Sequence, residues 1–121
     1  MGKILVYGYG NPGRQDDGLG VFLAEKIDAW AKKNNYSEIV TDTNYQLNIE
    51  DAYQLNKYDT VIFADASIEE INNFLFEPLK PDLNTNFTMH AVSPSFIMGI
   101  CQEMYGEIPD AFLLHIKGFE W

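Results

Sequence analysis

The residues with the strongest claim to chemistry are Asp17, Asp42 and Asp65, each placed just beyond an apolar run, together with His90. Two carboxylates and one imidazole on a common rim can hold a divalent first-row metal and leave positions open for a further ligand. An aspartate at a helix start is ordinarily an N-cap, but a cap accounts for one acid, and Asp16 and Asp17 stand side by side. Asp16 fits a cap as well as a function, so Asp17 carries the functional assignment. Asp65 directly follows Val61-Ile62-Phe63-Ala64, an unusual place for a plain turn residue. His90 alone would be read as structural. Its weight comes from the carboxylates it would join.

Other chemistries fit less well. Ser93 and Ser95 near His90 lack the glycine-flanked turn that exposes a nucleophilic serine. Cys101 falls on an apolar helix stripe and reads as core. His115 alternates within a strand pattern and reads as structural. No H-E-x-x-H spacing is present. Gly8, Gly10 and Gly13 do match the dinucleotide fingerprint G-x-G-x-x-G. Asp16 and Asp17 would repel a pyrophosphate at that helix start, where positive potential is required, and Pro12 removes an amide donor. A dinucleotide-binding module is therefore kept only as an alternative.

The elements that must position these residues follow from periodicity. Residues 4–7 form a short apolar run ending in glycine, as in a buried parallel strand. Leu19, Phe22, Leu23, Ile27 and Trp30 recur at helical spacing, with Asn34-Asn35 closing the helix. Residues 38–41 predict a second strand, 49–56 a weaker helix, and 60–64 a third strand ending on Asp65. Residues 74–76 follow too soon for a crossover helix, which predicts an antiparallel strand near an edge, stopped by Pro78 and Pro81. Ser93-Pro94 predicts a capped helix start, and that helix is expected to bury Phe96, Ile97, Ile100, Cys101 and Met104 before Gly106. Residues 111–116 form the last strand, whose apolar run predicts burial on both faces. The β-α-β-α-β opening implies right-handed crossovers and a three-layer α/β/α sandwich with a mostly parallel sheet of about five strands, one of them antiparallel. Ligands in such sheets gather beyond the carboxyl ends of the strands. Asp17, Asp42 and Asp65 belong there, and a return loop over residues 82–88 would bring His90 to them.

The chain has 121 residues, a single-domain length, with 46% hydrophobic content. A net charge of −10 argues against nucleic acid and anionic membranes as partners and favours a cationic one. A lone cysteine excludes an internal disulfide. The apolar start is too short for a signal peptide, no run spans a membrane, and the expected location is the cytoplasm.

Gly8-Tyr9-Gly10-Asn11 followed by Asp16-Asp17-Gly18-Leu19-Gly20 resembles the opening signature of the nickel–iron hydrogenase maturation proteases. Gln46-Leu47 with Glu50, then Val61 to Ala66, is similar to the second block of that family. His90-Ala91-Val92-Ser93-Pro94 resembles the third block, in the branch serving cytoplasmic, cofactor-reducing hydrogenases. The resemblance implies a five-stranded, mostly parallel sheet between helices. It implies an endopeptidase that removes the C-terminal extension of a hydrogenase large-subunit precursor. It further implies recognition of nickel already inserted in that precursor, by Asp17, Asp65 and His90, so that the metal arrives with the substrate and the free enzyme needs no permanent cofactor. Asp42 matches a further family aspartate near the cleft, and either Asp17 or Asp42 is a candidate catalytic base. Thr43-Asn44 replaces a glycine pair found in some branches. A non-catalytic nickel-binding chaperone is the other alternative. The family continues past the last strand into a C-terminal helix, which this sequence lacks. The expectation is therefore an apolar sheet face covered either by residues beyond Trp121 or by self-association.

Overall fold

The computed structural model describes residues 2–67, 73–84 and 92–118. The chain runs β1 (Ile4–Tyr9), a 3-10 helix (Gln15–Gly18), α1 (Leu19–Lys33), β2 (Ile39–Asn44), a second 3-10 turn (Ile49–Asp51), α2 (Ala52–Leu55), β3 (Thr60–Ser67), β4 (Phe74–Pro78), α3 (Pro94–Tyr105) and β5 (Asp110–Lys117). The five strands form one sheet in the order β2-β1-β3-β5-β4. All neighbours are parallel except β4, which runs antiparallel to β5 at the edge. The expected α/β/α sandwich is present.

Alternation along the strands divides the core. On one face Leu5, Tyr7, Val61, Phe63 and Ala111 pack with α2 and α3 through Leu55, Ile97, Met98 and Cys101. On the other, α1 lies over β1, β2 and β3. α1 does not bury the stripe its periodicity advertised. Phe22 and Trp30 are exposed, whereas Gly20, Val21, Ala24 and Ala31 are buried. Small residues on that face let the helix backbone close against the sheet, leaving the larger side chains to flank it. α3 is likewise corrected: Met98 and Gly99 are buried, Phe96 and Ile100 are half-buried, and Met104 is exposed.

β5 is not buried on both faces, and only Ala111 in it is fully buried. Phe112, Leu114 and Ile116 point to the α1 side, where among the described residues no helix lies over β5 or β4. A groove of about 500 Å³ remains between α1 and these strands, lined by Leu19, Phe22, Leu23, Lys26, Asn73, Phe74, Leu114 and Ile116. Phe76 stacks on Phe112 beside it, with centroids 5.1 Å apart.

α3 starts as the sequence predicts: the Phe96 amide donates to Ser93 Oγ at 3.1 Å, and Pro94 occupies the first turn. Ser93→Ala should therefore cost about 1 kcal/mol of stability, read as a lower urea midpoint at unchanged m. Gly106, at φ 80°, ends the helix.

Candidate functional site at the carboxyl edge

The loop after β1 is tied together by its own amides. Gly10, at φ 135°, turns the chain with its backbone packed on the Asp17 carbonyl, a place no side chain could share. The Gly10 amide donates to the Asn44 carbonyl at 3.0 Å, and the Asn11 amide donates to Asp17 Oδ2 at 3.1 Å. The Gly13 amide donates to Asn11 Oδ1 at 2.9 Å, and that of Arg14 to the Asn11 carbonyl at 3.0 Å. A dinucleotide loop presents such donors to a pyrophosphate. Here four are spent internally, Pro12 has none, and a carboxylate occupies the place of the anion. The fingerprint is a coincidence of glycines.

Asp16 and Asp17 both lie within the 3-10 helix, whose N-cap is Arg14, and α1 begins after Gly18. Neither acid is an N-cap, so capping does not explain the pair. Asp17, held by Asn11, faces the end of β3, where Asp65 stands half-buried inside the strand rather than after it. Burial pushes the Asp65 carboxyl up to about 6. The Ala66 amide and the Tyr9 hydroxyl act against that rise, the Asp17 charge adds to it, and His115 lowers it. The 3-10 helix that carries Asp17 packs on β3, and the Asp17 charge acts on Asp65, although 48 positions separate the two in the sequence. Burial and the neighbouring Asp65 hold the Tyr9 phenol well above its ordinary range, so it remains a proton donor toward that carboxylate.

Sequence reasoning missed three partners. Tyr9 ends β1 on the same face as Tyr7 and reaches Asp65 from the adjacent strand. His115 is the register partner of Asp65 on β5, and its Nε2 lies 3.0 Å from Glu77 Oε1. Asp51 accepts from the Tyr7 hydroxyl at 2.9 Å and from the Asn48 amide at 2.8 Å, closing the start of the short helix. The available signal was the period of two that aligns Tyr7 with Tyr9.

Asp42 lies within β2, paired with Tyr7, because the strand continues to Asn44 instead of stopping at Thr41. It is exposed, its Oδ1 accepting from the Thr43 amide at 2.9 Å, and its charge acts on Tyr7 and Tyr58. His90 lies outside the described residues. Among the described residues, no three His, Cys, Asp or Glu side chains are grouped closely enough to hold a metal ion. Asp17 and Asp65 supply hard oxygen donors that suit a divalent ion and would need a further ligand from elsewhere.

Cys101 is fully buried, and burial raises its thiol pKa, the opposite of an activated nucleophile. Cys101→Ala and Ser93→Ala should both retain catalytic activity, measured at a temperature where each is folded. Total loss in a folded variant would point to a nucleophilic mechanism. Among the described residues no helix is long and apolar enough to cross a membrane.

No protein-family profile and no curated protein sequence matches the chain. Solved structures do. The nickel–iron hydrogenase maturation protease HycI from Thermococcus kodakarensis KOD1 superimposes with a TM-score of 0.72 at 22% identity, covering 98% of this chain and 75% of that one. The hydrogenase maturating endopeptidase HybD from Escherichia coli gives 0.66 at 21% identity, covering 98% and 75%. The endopeptidase HycI from Escherichia coli gives 0.64 at 22%, covering 100% and 78%. The chain thus has the fold of these proteases.

Proposed function

We propose that this chain is an endopeptidase of the nickel–iron hydrogenase maturation type, which removes the C-terminal extension of a nickel-loaded large-subunit precursor. The observation that carries this reading is the convergence of Asp17 and Asp65 at the carboxyl edge, on a fold shared with hydrogenase maturation proteases. Neither acid caps a helix, and among the described residues neither forms a salt bridge, although the His115 charge acts on Asp65 from the neighbouring strand. The Ala66 amide, the Tyr9 hydroxyl and His115 only partly offset the burial of Asp65, so the pair is suited to a dication. Nickel carried by the substrate would relieve their repulsion, so precursor that lacks it would dock poorly.

In this reading Asp17, Asp65 and, from the resemblance, His90 contact the substrate's nickel. The Tyr9 hydroxyl orients the Asp65 carboxylate. Asp42, exposed on β2, is a candidate for activating the hydrolytic water, and Asp17 is the other. The likeness of residues 90–94 to the branch serving cytoplasmic hydrogenases supports a cytoplasmic site of action.

The test is incubation of the chain with nickel-loaded and nickel-free large-subunit precursor, followed by mass measurement of released peptide. Release from the loaded precursor alone is expected. Equal release from both would overturn the nickel gate. Tight binding of free nickel without cleavage of either would identify a chaperone instead.

A further inference from the structure

On the face covered by α2 and α3, the sheet ends in two successive rows of side chains. In the inner row Tyr7, Phe63 and Leu113 are register partners on β1, β3 and β5, and they lie in the apolar core or pack against it. Side chains of a strand return to the same face every second residue. The next row toward the carboxyl edge is therefore Tyr9, Asp65 and His115, with Leu75 opposite His115 on β4. Asp65 stands at the centre of this polar row. The Tyr9 hydroxyl bonds to it from the β1 side. His115 is its register partner on the β5 side, about 5 Å away at ordinary strand spacing.

Alternation alone makes His115 a structural residue, but its partner gives it a direction. Its Nε2 lies 3.0 Å from Oε1 of Glu77, which reaches it diagonally from β4, where Glu77 is paired with Leu113. The two side chains are 20% and 48% exposed, and a pair this open adds little to stability. What the bond does is fix the ring. An imidazole held at one nitrogen cannot swing freely away from the neighbouring strand. The carboxylate beside it has three staggered positions about χ1, and it is already held by the Ala66 amide and the Tyr9 hydroxyl.

We propose that the Glu77–His115 pair is a positioning element for Asp65: Glu77 anchors the imidazole, and the imidazole closes the β5 side of the carboxylate, which then keeps a single rotamer. Both residues act through Asp65, and neither touches the substrate. The functional half of the proposal rests on the peptidase reading, in which Asp65 contacts the precursor's nickel. A carboxylate that is already oriented loses no rotamer freedom when the metal arrives, and outer partners of metal-contacting groups are worth about 10–100-fold in affinity. The orientation itself is independent of that reading and can be measured without cleavage.

The experiment reads the Asp65 rotamer in the isotope-labelled full chain, from the three-bond couplings of its Cγ to the backbone nitrogen and carbonyl carbon. The parent should show the couplings of one χ1 rotamer, and His115→Ala should bring them to averaged values. Glu77→Ala, at an exposed position of β4, should average them in part, and it carries the test if His115→Ala does not fold. Glu77→Gln keeps an acceptor for the imidazole and should keep the parent couplings. With nickel-loaded precursor, His115→Ala should raise KM about tenfold and leave kcat nearly unchanged, whereas a merely structural role would lower kcat through the folded fraction and leave the rotamer alone. Averaged couplings in the parent, or a single rotamer retained in folded His115→Ala and Glu77→Ala, would overturn the proposal. So would an unchanged KM in a variant whose couplings are averaged. If the couplings respond but loaded precursor is not cut by the parent, the peptidase reading fails and the positioning role stands. If precursor is cut and the couplings do not respond, the positioning role alone falls.

Discussion

Asp65→Asn is expected to abolish precursor processing and, at pH 7.5, to yield a protein more stable than its parent. The two effects share one cause. Burial holds the folded-state carboxyl at about 6, against 3.8 for the free group. Below pH 3.8 both folded and unfolded chains carry the proton and nothing is lost. As pH rises, the unfolded chain ionises first, so stability falls until the folded carboxyl has also ionised, just above pH 6. The full loss is on the order of 3 kcal/mol, reduced by the solvent that still reaches a half-buried group. Asparagine keeps the shape and an acceptor for the Ala66 amide while removing the charge. It should regain about 1–3 kcal/mol at pH 7.5 and nothing at pH 3.5, which thermal melts at the two pH values would read. Activity should fall by more than about 100-fold, because a direct contact to the metal is lost and outer-shell partners alone are worth about 10–100-fold. Asp17→Asn should lose activity to a similar degree with a smaller gain in stability, because its charge is a minor contributor to the Asp65 shift. An Asp65→Asn protein that processes precursor normally, or that is no more stable than the parent at pH 7.5, would remove this carboxylate from the site.

That combination explains which parts of the structure were legible in the sequence. The β1 run, the Ser93-Pro94 helix start, the antiparallel β4 and the rim position of Asp17 all depend on local chemistry, and local chemistry is printed in the chain. The ends of β2 and β3 are not local. β2 continues past Asp42 because Thr43 and Asn44 find partners in Gly8 and Tyr9, and β3 continues past Asp65 because β5 runs alongside it. Ladder pairing extends strands through polar residues that a hydrophobicity reading would exclude. The α1 stripe misled for a related reason: close approach to a sheet favours glycine and alanine, so the buried face is the small one. Tyr9 and His115 as partners of Asp65 require strand order and register together. Neither is recoverable from spacing alone. The assignment of His90 falls on residues outside those described.

The second large effect is expected at Gly20, which sets the distance between the two carboxylates. A Cβ there would collide with the Ala64 carbonyl, one residue before Asp65, and would lie 2.9 Å from the Tyr9 carbonyl. Both obstacles are backbone atoms of β3 and β1, so neither can rotate away, and α1 must move as a unit. Asp17 is three residues upstream, joined to α1 through the 3-10 helix. Displacing the helix therefore separates Asp17 from Asp65 as well as opening the core. Gly20→Val should cost about 3 kcal/mol, the upper range for overpacking, and should lose processing activity even where circular dichroism shows the chain still folded. Gly99→Ala is the control. Its nearest obstacle is the Leu83 side chain at 2.8 Å, on an exposed residue that can swing aside, and the one backbone atom nearby, the Leu83 nitrogen, is farther off at 3.2 Å. Gly99→Ala should change stability by less than about 1 kcal/mol, because relaxation is possible there, and should leave processing intact. Equal behaviour of the two variants would mean that close contact of α1 with the sheet does not position the Asp17–Asp65 pair.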